Sequence, residues 1–445
     1  MILGEGKNIP CDPAAVQKYR TGNMSRLRSM RSFPNVPRLN YPATQNPLTK
    51  PSLLLISATY VVEENRKKLA ALAEHFDLTC ITCARAQGFG LENKLQDQPQ
   101  PGNYRLVGLQ PRGNPGSSTR YVLRGLRKAI RDSRADIILV ESEPWALIRW
   151  QAWLWQRIHQ PLALFGEYSW ENFERTGWRG AILAWMYRAA NTTAHFSIAG
   201  NAGGAAIFRR HGRDPQSLLC SQQMGVDTDS FRRFGDDERR RLRDKAGIHS
   251  IRFVIGYAGR LTEFKGVLDL LVAAERLRAR LGDCLEVHFL GGGDLRAALL
   301  ARSGSEDWIR VHAPVPHAEV AGFLNLLDLF VHASKPSLDS RSRLLFLEQS
   351  PYALAQAMSC GIPSVGGAVG AIPAMIGVPE MLVAPGDVNA LERLIEDLMK
   401  DGARRERVAV QQRAWVERNF TNKVIAGRWA AFLLSKIGER RTFAT

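Results

Sequence analysis

The sequence has no apolar segment long enough to cross a bilayer. Its longest apolar run, Leu53 to Val62, falls well short of the roughly 20 residues that a transmembrane helix needs. The chain has only six cysteines in 445 residues, which excludes a disulfide framework and is typical of a protein in a reducing compartment. The N-terminus lacks the hydrophobic segment of a signal peptide. We therefore expect a cytoplasmic protein.

Acidic residues are also scarce. Asp and Glu number 43 against 60 Lys and Arg, which gives a net charge of +17 and favours anionic partners such as nucleotide phosphates or phospholipid headgroups. The positive charge is spread over the chain and no nucleic-acid recognition motif accompanies it, so we do not expect a nucleic-acid partner. Apolar residues at 45% and charged residues at 23% are ordinary values for a globular protein, which excludes collagen, coiled coil and wholesale disorder.

Composition and periodicity divide the chain into five parts. Residues 1–50 are basic and without sustained periodicity, and we predict a disordered extension. Short apolar runs then alternate with amphipathic stretches over 51–224, the N-terminal domain. A polar linker with a surface helix is predicted over 225–248, and the same alternation returns over 249–420. A last helix over 421–445 is predicted to pack back on the N-terminal domain.

The alternation of strand and helix patterns predicts an α/β fold with parallel strands and crossover helices. One of the predicted helices covers Ser118–Arg134. Two doubly wound parallel-sheet domains in tandem would face each other across a cleft. Because ligands of such sheets bind outside the carboxyl ends of the strands, we expect the functional site in that cleft.

The segment Gly259 to Gly266 lies where a predicted strand, Phe253–Gly259, meets the next helix. Arg260 and Lys265 are placed there to bind one anion at the helix N-terminus, where free N–H groups already favour negative charge. The alternative interpretation is two solvated cations beside a turn.

Two further segments contain candidate site residues. A predicted strand runs into Gly291-Gly292-Gly293, where glycines let the backbone approach a phosphate or a flat base, but Arg296 stands where a dinucleotide fingerprint needs its last glycine. The third segment runs from Glu348 through Ala357-Met358-Ser359-Cys360-Gly361-Ile362-Pro363 to Val365.

Together these segments resemble the retaining glycosyltransferases of family 4 (glycosyl transferases group 1), which have the two-domain GT-B architecture. That family carries Gly-Arg, four residues and Lys, then a Gly-x-Gly turn. Further on it has two glutamates separated by seven residues, followed by Ala-Met-x-x-Gly-x-Pro-x-Val. The resemblance is specific over about residues 250–380, whereas over 51–215 it depends on the strand–helix rhythm.

The resemblance implies transfer of a hexose from a nucleotide-diphosphate sugar to a glycan or lipid-linked acceptor, with retention at the anomeric carbon and with neither metal nor cofactor. The catalytic residues that it implies are Arg260 and Lys265 on the donor diphosphate and Glu348 on the sugar hydroxyls. The donor-binding residues that it implies are Gly259, Gly291, Gly293 and, at the nucleotide ribose, Gln356. Two cations at a helix terminus would stabilise the charge that grows on the leaving diphosphate.

The sequence departs from the family in three places. Gln356 replaces the second glutamate, Ser350 and Pro351 replace an aromatic residue and a glycine, and Ala374 replaces a further glutamate. Pro351 has no N–H to offer a donor. An altered donor, or a degenerate GT-B protein that acts as a binding or scaffold subunit, is therefore the alternative interpretation.

Seven of the ten tryptophans fall between residues 145 and 185, interleaved with arginines. This pattern favours an interfacial surface on an anionic membrane, with the predicted helix Ser118–Arg134 adding basic charge. The alternative is tryptophan that fills the core between helix and sheet. Glu167 follows the predicted strand Pro161–Gly166 and is expected to reach the cleft on the acceptor side, unless its role is structural.

Overall fold

The computed structural model describes residues 50–88, 91–95, 102–114, 119–249 and 252–443. Of the predicted basic extension over 1–50, all but Lys50 lies outside these residues. Residues 338–343 form a small turn of their own, in which the carboxylate of Asp339 accepts hydrogen bonds from the backbone N–H groups of Arg341 and Arg343.

Seven parallel strands form the sheet of the N-terminal domain. They are β1 (Ser52–Ile56), β2 (Asp77–Cys83), β3 (Arg105–Leu109), β4 (Ile137–Glu141), β5 (Leu164–Ser169), β6 (Phe196–Ala199) and β7 (Leu218–Cys220). Their order is β7-β6-β5-β4-β1-β2-β3. The order of a doubly wound sheet reverses between β1 and β4, where such sheets bind their ligands.

Six parallel strands form the second sheet. They are β8 (Phe253–Ala258), β9 (Leu285–Leu290), β10 (Ile309–His312), β11 (Leu329–His332), β12 (Ser364–Gly367) and β13 (Leu382–Val383). Their order, β10-β9-β8-β11-β12-β13, repeats the doubly wound pattern, with the reversal between β8 and β11. The prediction of two doubly wound α/β domains is confirmed.

Helices connect the strands, as parallel pairing requires. They are α1 (Lys67–Leu72), α2 (Leu126–Ser133), α3 (Leu147–His159), α4 (Gly177–Thr193), α5 (Ala202–Arg210), α6 (Asp236–Lys245), α7 (Val267–Leu281), α8 (Arg296–Ser305), α9 (His317–Leu326), α10 (Tyr352–Ser359), α11 (Ile372–Ile376), α12 (Val388–Lys400), α13 (Gly402–Asn419) and α14 (Asn422–Phe443). Short antiparallel hairpins pair Arg85–Gly88 with Leu91–Lys94 and Pro111–Gly113 with Tyr121–Leu123. Within the described ranges, no helix combines the length and the hydropathy that crossing a membrane would take.

The predicted helix Ser118–Arg134 is shorter than the sequence pattern indicates. Tyr121–Leu123 is a hairpin strand, and α2 begins only at Leu126. Gly125 separates the two elements with φ of 85°, a left-handed conformation that a right-handed helix cannot continue through. The basic face of this region is correspondingly shorter.

The first sheet is covered on both faces, because alternate residues of a strand point in opposite directions. Leu53 and Leu55 pack in one apolar layer with α1 and α14, while Leu54 and Ile56 pack in another with α2 and α3.

The last helix, α14, completes the core of the N-terminal domain. Its Trp429 is fully buried among residues of β1, β2 and α1. The indole Nε1 donates hydrogen bonds to Ser221 Oγ and to the carbonyl oxygen of Gln222, both at 3.2 Å. The ammonium group of Lys68 lies 3.6 Å from the centre of the indole ring. The end of the chain therefore belongs structurally to its first domain.

We expect Trp429→Ala to lower the free energy of unfolding by about 3–5 kcal/mol, because the change leaves a large cavity in a closed core. Chemical denaturation followed by circular dichroism measures this loss. The matched control is Trp178→Ala, whose side chain is 71% exposed, with an expected loss of less than about 0.5 kcal/mol. Equal losses in the two variants would contradict the packing of α14.

Candidate active site

The turn after β8 carries two predicted site residues. Residues 259–262 leave the strand, Glu263–Lys265 form one 3-10 turn, and α7 begins at Val267. Gly266 has φ of 71°, and a Cβ atom there would lie 2.1 Å from the carbonyl oxygen of Ala333. Only glycine permits this approach, which brings the start of α7 against the end of β11.

Glu348 is the centre of a buried polar cluster. Its Oε2 accepts hydrogen bonds from Lys265 Nζ at 2.5 Å and Ser334 Oγ at 3.1 Å, and lies 3.1 Å from His332 Nε2. Lys265 and Glu348 are 8% and 5% exposed. Burial acts to raise the pKa of Glu348, but the contacts with His332 and Lys265 outweigh it and hold the pKa well below its usual range. Glu348 is therefore a carboxylate.

Arg260 differs from Lys265 because its charge is not shared with a carboxylate. Its side chain is exposed, and no described carboxylate lies within ion-pair distance of it. The guanidinium carbon lies 5.8 Å from the centre of the Phe264 ring, and the hydroxyl of Tyr257 donates to the carbonyl oxygen of Arg260 at 3.2 Å. The backbone is held while the cation faces solvent.

The glycines of the two turns allow the turns to pack on each other. A Cβ atom on Gly291 would lie 2.0 Å from the carbonyl oxygen of Gly259, and one on Gly293 would lie 2.4 Å from that of Leu261. The N–H of Leu261 donates to the carbonyl oxygen of Gly292 at 2.8 Å. The closeness of the turns thus accounts for Gly291 and Gly293, while contact with a donor stays a prediction for Gly259, Gly291 and Gly293.

Gln356 lies on α10, and its amide is bonded to a histidine that the sequence analysis missed. Its Nε2 lies 2.9 Å from Nε2 of His317, the first residue of α9. Burial lowers the pKa of His317, on which the charges of Glu64, Lys67 and Asp227 also act. The pair therefore lies where the N-terminal domain meets the linker. Its contact with a ribose stays a prediction.

The expected acceptor-side position of Glu167 is wrong. Its carboxylate is fully buried, where it accepts hydrogen bonds from Arg149 Nε at 2.9 Å and Ser197 Oγ at 3.1 Å, with Arg213 3.7 Å away. The physical reason is that β5 continues to Ser169, so that Glu167 lies within the strand and not beyond its end. Its role is structural.

Glu143 is a buried carboxyl group of the N-terminal domain that contacts the loop after β5. It follows β4, is 2% exposed, and accepts hydrogen bonds at Oε1 from the N–H groups of Trp170 at 3.1 Å and Glu171 at 3.2 Å. The hydroxyl of Ser169 donates to its Oε2. Burial raises the pKa of Glu143 to about 8. Its position just after a strand at the sheet reversal is the signal that could have identified it.

The loop that Glu143 holds reaches the second domain. Asn172 Nδ2 donates to the carbonyl oxygen of Glu348 at 2.8 Å, and Gln349 Nε2 lies 3.5 Å from Glu171 Oε1. The same carbonyl oxygen of Glu348 accepts from the N–H of Ala371 at 2.8 Å. The side chain of Glu348 therefore binds Lys265 of its own domain, while its backbone carbonyl group binds Asn172 of the N-terminal domain.

Residues 252–401 match the family model described as Glycosyl transferases group 1. Over 228 residues the chain is 31% identical to the amylovoran biosynthesis glycosyltransferase AmsK of Erwinia amylovora, an alignment that covers 50% of this chain and 52% of that protein. It is 27% identical over 300 residues to a GDP-mannose-dependent α-(1-6)-phosphatidylinositol monomannoside mannosyltransferase of Mycolicibacterium smegmatis, covering 63% of this chain and 75% of that protein. The match to the first of these relatives thus spans about half of its length.

Solved structures resemble the whole described fold. The Anabaena protein Alr3699/HepE, in complex with UDP and glucose, has a TM-score of 0.62 at 16% identity and covers 86% of this chain and 99% of its own. Sucrose-phosphate synthase from Thermosynechococcus elongatus has a TM-score of 0.63 at 17% identity, covering 89% and 100%. Likenesses at such low identity establish the fold, which is GT-B. The chain thus has the GT-B fold, and its residues 252–401 form a domain of the Glycosyl transferases group 1 family.

Proposed function

We propose that this protein is a glycosyltransferase that moves a hexose from a nucleotide-diphosphate sugar to a glycan or lipid-linked acceptor, with retention at the anomeric carbon. The observation that carries the proposal is the buried Lys265–Glu348 pair beside the exposed Arg260, at the carboxyl end of a doubly wound sheet. All three residues fall within the segment that matches the glycosyltransferase family.

The three side chains suit the leaving group of such a reaction. Cleavage of the anomeric C–O bond leaves negative charge on a nucleoside diphosphate, and a cation fixed where charge develops stabilises the transition state. Arg260 offers an unshared guanidinium, and the N-terminus of α7 adds free N–H groups. Lys265 uses one of its three N–H donors on Glu348 and keeps two for a phosphate.

We propose that these cations replace a divalent metal at the diphosphate. Among the described residues, no group of three or more His, Cys, Asp or Glu side chains is placed to hold a metal ion. The carboxylate of Glu348 is kept ionised, so that it can accept hydrogen bonds from sugar hydroxyls at Oε1 while its Oε2 binds Lys265. In this proposal, neither the binding of the diphosphate by the two cations nor the binding of the sugar hydroxyls by Glu348 uses a cofactor.

The relatives support the substrate class. One is named as a GDP-mannose-dependent mannosyltransferase acting on a phosphatidylinositol mannoside, and a solved neighbour is in complex with UDP and glucose. Others are named for the biosynthesis of the polysaccharides amylovoran and colanic acid. We infer a nucleoside diphosphate hexose as donor and a place in polysaccharide or glycolipid assembly.

Thermal unfolding with a panel of nucleoside diphosphates and their hexose conjugates tests this proposal. A nucleotide that binds the folded state raises the melting temperature by mass action. We expect at least one uridine or guanosine diphosphate to do so without added metal, and its hexose conjugate to be a donor. No shift with any member of the panel would favour the degenerate, non-catalytic alternative.

We expect Arg260→Ala to lower kcat about a hundredfold, because it removes one stabiliser of the leaving diphosphate. Since Arg260 is exposed and forms no ion pair with a described residue, the free energy of unfolding should change by less than about 0.5 kcal/mol. Donor turnover and chemical denaturation measure the two quantities.

Arg241→Ala is the matched control for this variant. Arg241 is an exposed arginine of α6 without an ion pair to a described residue, and its removal should leave kcat unchanged. Lys265→Ala is a less discriminating test, because it leaves the Glu348 carboxylate buried without its cation and lowers stability as well. Normal turnover of the Arg260 variant would refute the assignment.

A further prediction concerns how the ionisation of Glu143 makes the stability of the protein depend on pH. Burial raises the pKa of this carboxyl group from 4.5 to about 8, so that the folded state holds a proton that the unfolded state has lost. The free energy of unfolding therefore falls as pH rises through this interval, by up to ~1.4 kcal/mol per pH unit. Glu143→Gln cannot titrate and should lose this slope, which denaturation at several pH values measures.

Glu74→Gln is the control, since Glu74 is exposed. Its stability should follow that of the unchanged protein across the same pH range. If the Glu143 variant also follows it, Glu143 is ionised in the folded state and the prediction fails.

A further inference from the structure

Helix α4 exposes an apolar stripe to solvent. Trp178, Ile182 and Trp185 are 71%, 50% and 65% exposed, and their spacing of four and three residues places them on one face of the helix. The opposite face buries Tyr187 and Ala190. Burial of an indole ring removes a large apolar area from water, as it does for Trp429 in the core. Two tryptophan side chains that face solvent on one stripe therefore indicate an interaction surface.

The neighbouring helix α3 has an apolar stripe of its own. Leu147, Leu154 and Ile158 are 53%, 45% and 53% exposed at spacings that lie on one helix face. The two helices are neighbours, as a hydrogen bond between them shows: Arg149 of α3 donates to the carbonyl oxygen of Ala190 of α4 at 3.1 Å. The other five tryptophans of the segment are at most half-exposed, so the sequence pattern mixes core and surface residues.

The charged residues of these two helices all have one sign. Neither α3 nor α4 contains an aspartate or a glutamate. Their exposed Arg157, Arg179 and Arg188 form no ion pair with any residue of the described ranges. Some exposed arginines of the second domain are paired instead, as Arg280 is with Glu396 at 2.7 Å. The cations of α3 and α4 are therefore available to negative charge on a partner surface.

We propose that the exposed faces of α3 and α4 dock on the surface of an anionic lipid bilayer. Tryptophan favours the headgroup region, and arginine favours anionic lipid. A second copy of this chain would bring the same unpaired arginines against each other, which opposes self-association. An anionic bilayer suits both features of this surface, since it offers an apolar boundary to the stripes and negative charge to the arginines.

Docking through the exposed faces of α3 and α4 would bring the bilayer close to the candidate active site. Helix α4 begins at Gly177, five residues after Asn172, which touches Glu348. If the proposed function holds, a lipid-linked acceptor would enter there. The docking itself does not depend on that function, because it is tested by binding alone.

Co-sedimentation with vesicles tests the proposal. The full chain should bind vesicles of phosphatidylcholine mixed with phosphatidylglycerol, and should bind vesicles of phosphatidylcholine alone weakly or not at all. Binding should weaken as the salt concentration rises, because ions screen the attraction. Replacing Trp178, Ile182 and Trp185 together with serine should lower the partition coefficient roughly tenfold or more, since the apolar contact is lost.

Matched variants separate this surface from general stickiness. Serine at Leu281, Leu300 and Val410, which are exposed apolar residues of the second domain, should leave binding unchanged. Arg179→Gln with Arg188→Gln should weaken binding about 25-fold, at about fivefold per arginine. The same charge change at Arg241 and Arg393 should have a much smaller effect.

Three results would overturn the proposal. The first is equal binding to both kinds of vesicle, and the second is an equal loss of binding in the stripe and control variants. The third is a dimer in sedimentation velocity that the serine variant of α4 converts to monomer, which would assign the stripe to a second copy of the chain. Since the stripe is exposed, unchanged circular dichroism of the variants would show that a loss of binding is not a loss of folding.

Discussion

One carboxylate oxygen, Oε2 of Glu348, accepts hydrogen bonds from Lys265 and Ser334 and lies 3.1 Å from Nε2 of His332, in a site with almost no access to solvent. A buried carboxylate without such partners would be protonated or would destabilise the fold. The cluster ties the start of α7 to the end of β11 and fixes the position of the lysine. Arg260 is left as the cation with an unshared charge on the same turn.

The same residue makes one of the contacts between the two domains. The carbonyl oxygen of Glu348 accepts from Asn172, on a loop whose backbone is held by Glu143. Both glutamates are buried, but their environments act in opposite directions: contacts with His332 and Lys265 hold the pKa of Glu348 below its usual range, whereas burial raises the pKa of Glu143, whose hydrogen-bond donors are neutral. A change of pH near neutrality therefore acts on the loop that Glu143 holds and leaves the Glu348 carboxylate ionised.

Much of the fold could be predicted from the sequence, because strand and helix patterns alternate on both sides of the polar linker and most strand residues are apolar. The pairing of Lys265 with Glu348 lay within the predicted site, although 82 residues separate them in the chain. Glu167 was misplaced because the pattern does not show that its strand continues to Ser169. Glu143 was missed, although it directly follows a strand at the sheet reversal, because its burial and its bonds to Ser169 and to two backbone N–H groups arise only in the folded chain.

The central claim is that the turns after β8 and β9, with Glu348, form the donor site. Hydrogen–deuterium exchange of the full chain, with and without UDP or GDP, tests it most directly, because a bound diphosphate must occupy backbone N–H groups of these turns. The account predicts slower exchange in peptides covering residues 259–266 and 290–296, with no comparable change on α12 and α13. Binding without protection of these turns, or with protection confined to the N-terminal domain, would contradict it.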